Sequence, residues 1–234
     1  MKLFKKLAPT ILMLIWIFAA VVASQFIVGY PMLWCLGDKF NLPVWTAVFS
    51  ALSYLLALAL IIFVPPKLFK KWQTNREELG LLGLPTWTDI GLAPIGFIAG
   101  LILAAIFAAI FSLFPWFDAA EAQNVGFNAY LAGGDRIVAF LTLVVVAPIA
   151  EEIIFRGWLY GKLRAKYSAP LAILLTSLLF GLVHLQWNVG VNVFAFSVVL
   201  CALREITGTI YAGILTHMIK NGVAFYLLYI IGIS

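Results

Sequence analysis

Long apolar runs separated by short polar segments set the pattern of this chain. The runs cover about 8–30, 45–64, 90–113, 136–160, 168–187, 189–203 and 208–233. None shows the period-2 alternation of a half-buried strand, and most reach the roughly 20 residues a helix needs to cross a bilayer. The pattern predicts an all-α, polytopic membrane helix bundle of about seven spans. Three proline signals mark predicted boundaries. Pro31 opens a loop at 31–43, Pro65-Pro66 stops span 2, and Ser168 with Pro170 opens span 5 as N-cap and first-turn proline. The segment 67–78 is polar and mostly basic, with Leu68, Phe69 and Trp72 among the charges, which suits a stretch on the membrane surface or a solvated loop. A turn-rich re-entry follows at 79–88, and 115–134 is the longest outer loop. Two regions result: 1–134, holding spans 1–3 and their loops, and 135–234, holding a core of spans 4–7.

Composition agrees. Of 234 residues, 64% are hydrophobic and 11% charged, and the mean hydropathy is +1.07. A soluble domain carries about 25% charge. The net charge of +5 comes from lysines and arginines beside apolar runs, the signature of topology determinants, and implies no nucleic-acid partner. The clusters at the N-terminus, 67–76, 162–166 and Arg204 fall on one side of a seven-span chain, and the loops at 31–44 and 115–134 on the other. That places the N-terminus in the cytoplasm. The first apolar run follows Lys2, Lys5 and Lys6 as a signal peptide would, but it exceeds the 7–15-residue core of one, so it is taken as span 1. Cys35 and Cys201 have no metal-like spacing and predict no disulfide.

The chemistry concentrates in a few polar residues inside the spans. Glu151, Glu152 and Arg156 interrupt the fourth. Glu152 and Arg156 are four apart in the favoured acid-before-base order, and Glu151 lies about 100° further round the helix. A structural ion pair alone would need one glutamate. Both histidines of the chain, His184 and His217, sit in apolar runs, and Asn221 is four residues after His217 on the same helical face. Bilayer interiors penalise each of these groups, and a shared site accounts for all of them. A carboxylate beside an imidazole can take a proton from water, and a second imidazole with an amide can stabilise an oxyanion. The other chemistry open to these residues is a zinc site on His184, His217 and a carboxylate, although the helical HExxH signature is absent. Intramembrane Glu, His and Arg also occur in proton-coupled transporters, but the chain shows no repeated halves.

These residues resemble the CAAX-protease and bacteriocin-processing family (CPBP, or Abi). Its motifs EExxxR, FxxxH and HxxxN occur in order as Glu151-Glu152 with Arg156, Phe180 with His184, and His217 with Asn221. The stretch Leu203-Arg204-Glu205-Ile206-Thr207-Gly208 is also similar to bacterial members, and the resemblance covers about 135–230. It implies an intramembrane endopeptidase of a bacterial plasma membrane, acting on a peptide or protein substrate at the bilayer. Glu151 and His184 would activate water, and His217 and Asn221 would stabilise the oxyanion. Glu152 and Arg156 would be the supporting pair, and Phe180 a cavity wall. The family is often labelled metalloprotease, yet this scheme needs no zinc. A non-proteolytic immunity or partner-binding protein on the same fold is the alternative. On the boundaries above, His184 lies about 7–11 Å deeper than Glu151 and His217, so span 5 must tilt or the ends of spans 4 and 5 must move.

Overall fold

The structure is a computed structural model that describes residues 2–121, 127, 131 and 133–232. Parts of the acidic outer loop 115–134 therefore lie outside the described residues. Among the described residues there are seven long helices and no strand. They are α1 (Lys2–Leu36), α2 (Pro43–Phe69), α3 (Trp87–Phe111), α4 (Gly133–Arg164), α5 (Ala169–Leu182), α6 (Trp187–Thr207) and α7 (Tyr211–Ile231). Six are long and apolar enough to cross a membrane; α5, with 14 residues, is shorter. The chain is an integral membrane protein.

Two compact units divide it, Met1–Gln73 and Thr74–Ser234. The first is the α1–α2 hairpin. Met13, Ile17, Ala20 and Ser24 form the buried stripe of α1, at the three- and four-residue spacing of one helix face. Two proline boundaries move here. Helix α1 continues through Pro31 to Leu36, and α2 continues through Pro65-Pro66 to Phe69. A proline removes one backbone donor and crowds the turn before it. Near a helix end that loss is small, and in α2 the chain turns out only at Lys70, whose φ is +52°.

The second unit holds the three motifs. It also contains α3, which hydropathy leaves grouped with the first two spans. Helix α3 starts at a capping box in which Thr86 and Asp89 exchange side-chain and backbone hydrogen bonds. It packs on α6 and α7 through small residues: a Cβ at Gly96 would meet Thr216, and one at Gly100 would meet the Phe196 ring. Thr216 Oγ1 donates to the Ala93 carbonyl at 3.1 Å, satisfying a buried hydroxyl across that seam.

At one end of this unit the segment before α3 is stapled to the helix ends. Lys162 pairs with Glu78, Arg164 with Glu205, and Arg204 donates to the Glu78 carbonyl. The Tyr160 hydroxyl donates to Glu205 at 2.6 Å, and Ile210 N–H to the Gly80 carbonyl. The basic residues 162, 164 and 204 thus share one end of the unit.

Candidate active site

Helix α4 is not uniform. Two π-helical stretches, Leu141–Val146 and Ile153–Leu159, flank a regular segment, Ala147–Glu152, that carries the glutamates. Pro148 has no N–H to offer the turn before it, which favours local rewinding there. A π-turn rotates side chains out of the ordinary register and changes which carbonyls are satisfied internally. One of them, Leu143 O, accepts a hydrogen bond from Asn221 Nδ2 at 2.9 Å.

Glu152 is the structural hub. It is fully buried, and its Oε1 accepts from Arg156 Nη1 at 2.9 Å and from His217 Nδ1 at 3.0 Å. The guanidinium lies over the Phe180 ring, 4.4 Å from its centroid, which supplies a second favourable contact for a buried cation. Since a carboxylate only accepts, His217 carries a proton on Nδ1. Its Nε2 faces Glu151, 3.8 Å from Oε2. One imidazole therefore stands between the two adjacent glutamates.

His184 arrives differently. The sequence places it inside span 5, but α5 ends at Leu182 and the histidine occupies the turn that leads into α6. Gly181 and Gly190 explain the tight turn. A Cβ on Gly181 would lie 2.8 Å from the Gly190 carbonyl, and one on Gly190 would lie 3.0 Å from the Gly181 carbonyl, so the two backbones touch where side chains would hold them apart. His184 Nδ1 donates to the Phe180 carbonyl at 2.7 Å, which leaves Nε2 as its proton-accepting nitrogen. Ser168 takes the N-cap position of α5 in an extended conformation, but its hydroxyl caps nothing.

The depth mismatch closes for Glu151, though not for His217, which is six residues from the start of α7. Helix α4 runs to Arg164 rather than ending near 160, so Glu151 is thirteen residues from its end. His184 is fifteen residues after the start of α5. The two sit within about 3 Å of the same depth along their helices.

Phe180 gathers the pieces. Its centroid is 5.0 Å from that of His184, 6.1 Å from that of His217 and 4.8 Å from that of Phe155. Glu151, His217 and Lys220 are near enough to His184 to act on it electrostatically. The structure thus brings Glu151, Glu152, Arg156, Phe180, His184 and His217 together, with Asn221 one turn along α7 from His217. Phe180 is packed on all sides at 2% exposure, so it is a spacer between the histidines and Arg156 more than an open wall.

Sequence reasoning missed Gly213. A Cβ there would lie 3.0 Å from Glu152 Oε2, so the glycine lets α7 close onto the buried carboxylate. Its spacing was the available signal: Gly213, His217 and Asn221 recur every four residues. A nearby apolar cavity of about 450 Å³ is lined by Phe107, Phe111, Leu182, Leu185, Trp187 and Phe194 among others. It borders the turn that carries His184 but none of the candidate catalytic side chains lines it.

Both histidines have Nδ1 anchored, and Nε2 of His217 faces Glu151, the way an anchored metal ligand is presented. Among the described residues, however, no group of three His, Cys, Asp or Glu side chains is placed to hold a metal ion. Cys35 and Cys201 are free thiols, exposed and buried respectively.

Comparison with known proteins points the same way. Residues 133–223 match the Rce1-like family, described as type II CAAX prenyl endopeptidase Rce1-like. The chain is 23% identical over 176 residues to the "Putative membrane peptidase YdiL" of Bacillus subtilis (strain 168), covering 74% of this chain and 68% of the relative. It is 32% identical over 89 residues to an "Uncharacterized 24.3 kDa protein" of Escherichia coli, covering 36% of this chain and 41% of that one. No solved structure matches it at a comparable level. The matched region is the one in which α4, α5, α6 and α7 assemble the two glutamates and two histidines, and over it the chain is similar to the Rce1-like type II CAAX prenyl endopeptidases.

Proposed function

We propose that this protein is an intramembrane endopeptidase in which Glu151 and His184 activate water. The observation that carries the reading is the fixed tautomer of His184. Its Nδ1–H is committed to the Phe180 carbonyl, so Nε2 is the nitrogen left to act as a base together with Glu151. Water held between them loses a proton to the carboxylate–imidazole pair as its oxygen attacks the scissile carbonyl carbon. The carbonyl oxygen becomes an oxyanion. His217 and Asn221 stabilise it, His217 from Nε2 as the imidazolium and Asn221 through the second N–H of its carboxamide. Collapse of the tetrahedral intermediate breaks the C–N bond, and the proton taken from water passes to the leaving amine. Glu152 and Arg156 hold His217 in place and do not touch the substrate.

The substrate is a peptide segment of a membrane-associated chain, as the burial of the site and the relatives' names suggest. The protein sits in a bacterial plasma membrane with its N-terminus in the cytoplasm. The basic clusters support that orientation, and the shared end of residues 162, 164 and 204 agrees with it.

The test is cleavage of a quenched peptide library by the purified protein in liposomes, wild type beside Glu151→Gln, with and without a chelator. The substitution should lower turnover by about 10²-fold or more without unfolding the protein, and cleavage should survive chelation. Equal cleavage by both proteins would sink the role of Glu151. Loss on chelation, restored by zinc, would replace this scheme with a metal-dependent one.

A further inference from the structure

A second cavity, of about 390 Å³, lies where α4 and α6 end, far along both helices from the glutamates and histidines. Its lining includes Glu78, Tyr160, Lys162, Arg164, Arg204 and Glu205, three cations against two carboxylates. Both carboxylates are engaged. Lys162 pairs with Glu78, and Glu205 accepts from Arg164 Nε at 3.0 Å and from the Tyr160 hydroxyl at 2.6 Å. Arg204 is the third cation, and among the described residues no carboxylate forms an ion pair with it.

Arg204 is nevertheless held in place. Its Nη2 donates to the Glu78 carbonyl at 3.1 Å. A Cβ at Gly80 would lie 2.6 Å from its Cζ, so the guanidinium rests against bare backbone. The Gly80 carbonyl accepts from Ile210 N–H at 3.1 Å, which ties that backbone to the start of α7. A guanidinium carries five N–H groups. Here one has a protein acceptor, and the half-buried cation also keeps an Nε with none. Buried donors without acceptors are costly, and an oxyanion with several acceptor oxygens is the group that matches a planar fork of donors.

The surroundings indicate where such an oxyanion comes from. The cavity sits at the level where the apolar runs of α4 and α6 stop and that of α3 begins, the level of lipid headgroups. Exposed apolar side chains accompany it: Ile206, two residues after Arg204, and Leu84 and Trp87 at the entry to α3. Leu84 follows Gly83, whose carbonyl accepts from the Tyr211 hydroxyl at the same end of the unit. A soluble phosphate gains nothing from those side chains, whereas a lipid covers them with its acyl chains. Basic pockets between membrane helices are headgroup sites for this reason.

We propose that this cavity binds the phosphodiester of an anionic lipid headgroup, with Arg204 as the principal donor and Lys162 and Arg164 as flanking charges. A bound headgroup joins the ends of α4 and α6 to the segment before α3, so binding stabilises the fold. The proposal is independent of the protease reading.

The test is thermal unfolding of the full chain in neutral detergent micelles, titrated with phosphatidylglycerol, with phosphatidylcholine, or with inorganic phosphate. Phosphatidylglycerol should raise the midpoint in a saturable way and phosphatidylcholine should not. Arg204→Gln should weaken the apparent affinity for phosphatidylglycerol by about tenfold or more. Lys71→Gln, which removes an exposed charge outside the cavity, should change it by no more than about twofold. Ala165→Glu adds a negative charge to the cavity wall without touching the contacts of Arg204, and it should weaken binding as well. Should Arg204→Gln fail to fold, Ala165→Glu decides the matter, and an unchanged affinity there would overturn the site. Equal losses in Arg204→Gln and Lys71→Gln would overturn it too, since they would show diffuse surface attraction. Protection by both lipids alike would remove the headgroup from the proposal. Arg204-dependent protection by inorganic phosphate at matching concentration would assign the cavity to a soluble phosphate instead.

Discussion

Glu152 and Arg156 form a buried ion pair beside His217. Both are fully buried, and the pair is closed by a 2.9 Å hydrogen bond and by the Phe180 face. A buried ion pair gains little over an apolar substitute, but breaking it strands a charge. Arg156→Met should therefore cost about 3–5 kcal/mol in an unfolding titration in detergent, and the double variant with Glu152→Gln should recover part of the loss. Arg156→Lys should not rescue the single variant, since an ammonium cannot reproduce a planar cation stacked on Phe180. Activity should fall as well, because Glu152 also orients His217 Nδ1. The i, i+4 relation of this pair was legible in the sequence. The contact of Glu152 with His217, 65 residues away, was not, because nothing local encodes it.

Among the elements, the short α5 and its turn decide where the second histidine goes. Fourteen helical residues are about 21 Å, well short of a bilayer's hydrocarbon core. The chain reverses at 183–186 because Gly181 and Gly190 allow the helices to touch backbone to backbone. Gly181→Ala should force α5 and α6 apart, cost about 1–3 kcal/mol in the same titration, and lower cleavage by shifting His184. A variant that keeps wild-type turnover would show that the turn tolerates the shift. Hydropathy could not find this reversal, since 168–203 reads as apolar on both sides of it. The prolines misled for a related reason. Pro31 and Pro65-Pro66 carry strong local stop signals, but the helices they interrupt extend only another turn or so.

At the scale of the whole molecule, topology is the open prediction. With Cys35 replaced by Ser, Cys201 should stay silent because it is fully buried. A cysteine introduced at Lys162 should then react with a membrane-impermeant maleimide only from the cytoplasmic side, and one at Asp118 only from the outside. Labelling of both positions from one side would overturn the proposed orientation. The sequence by itself determined that the chain is a bundle of membrane helices and which charged and polar residues lie inside them, because apolar run length and the cost of a buried charge are properties of local sequence. It did not decide that His217 bridges the two glutamates, that Gly213 admits Glu152, or that His184 lies on a turn. Those follow from which helix faces meet and how closely, and close approach is set by pairs of small residues far apart in the chain that no single stretch reveals.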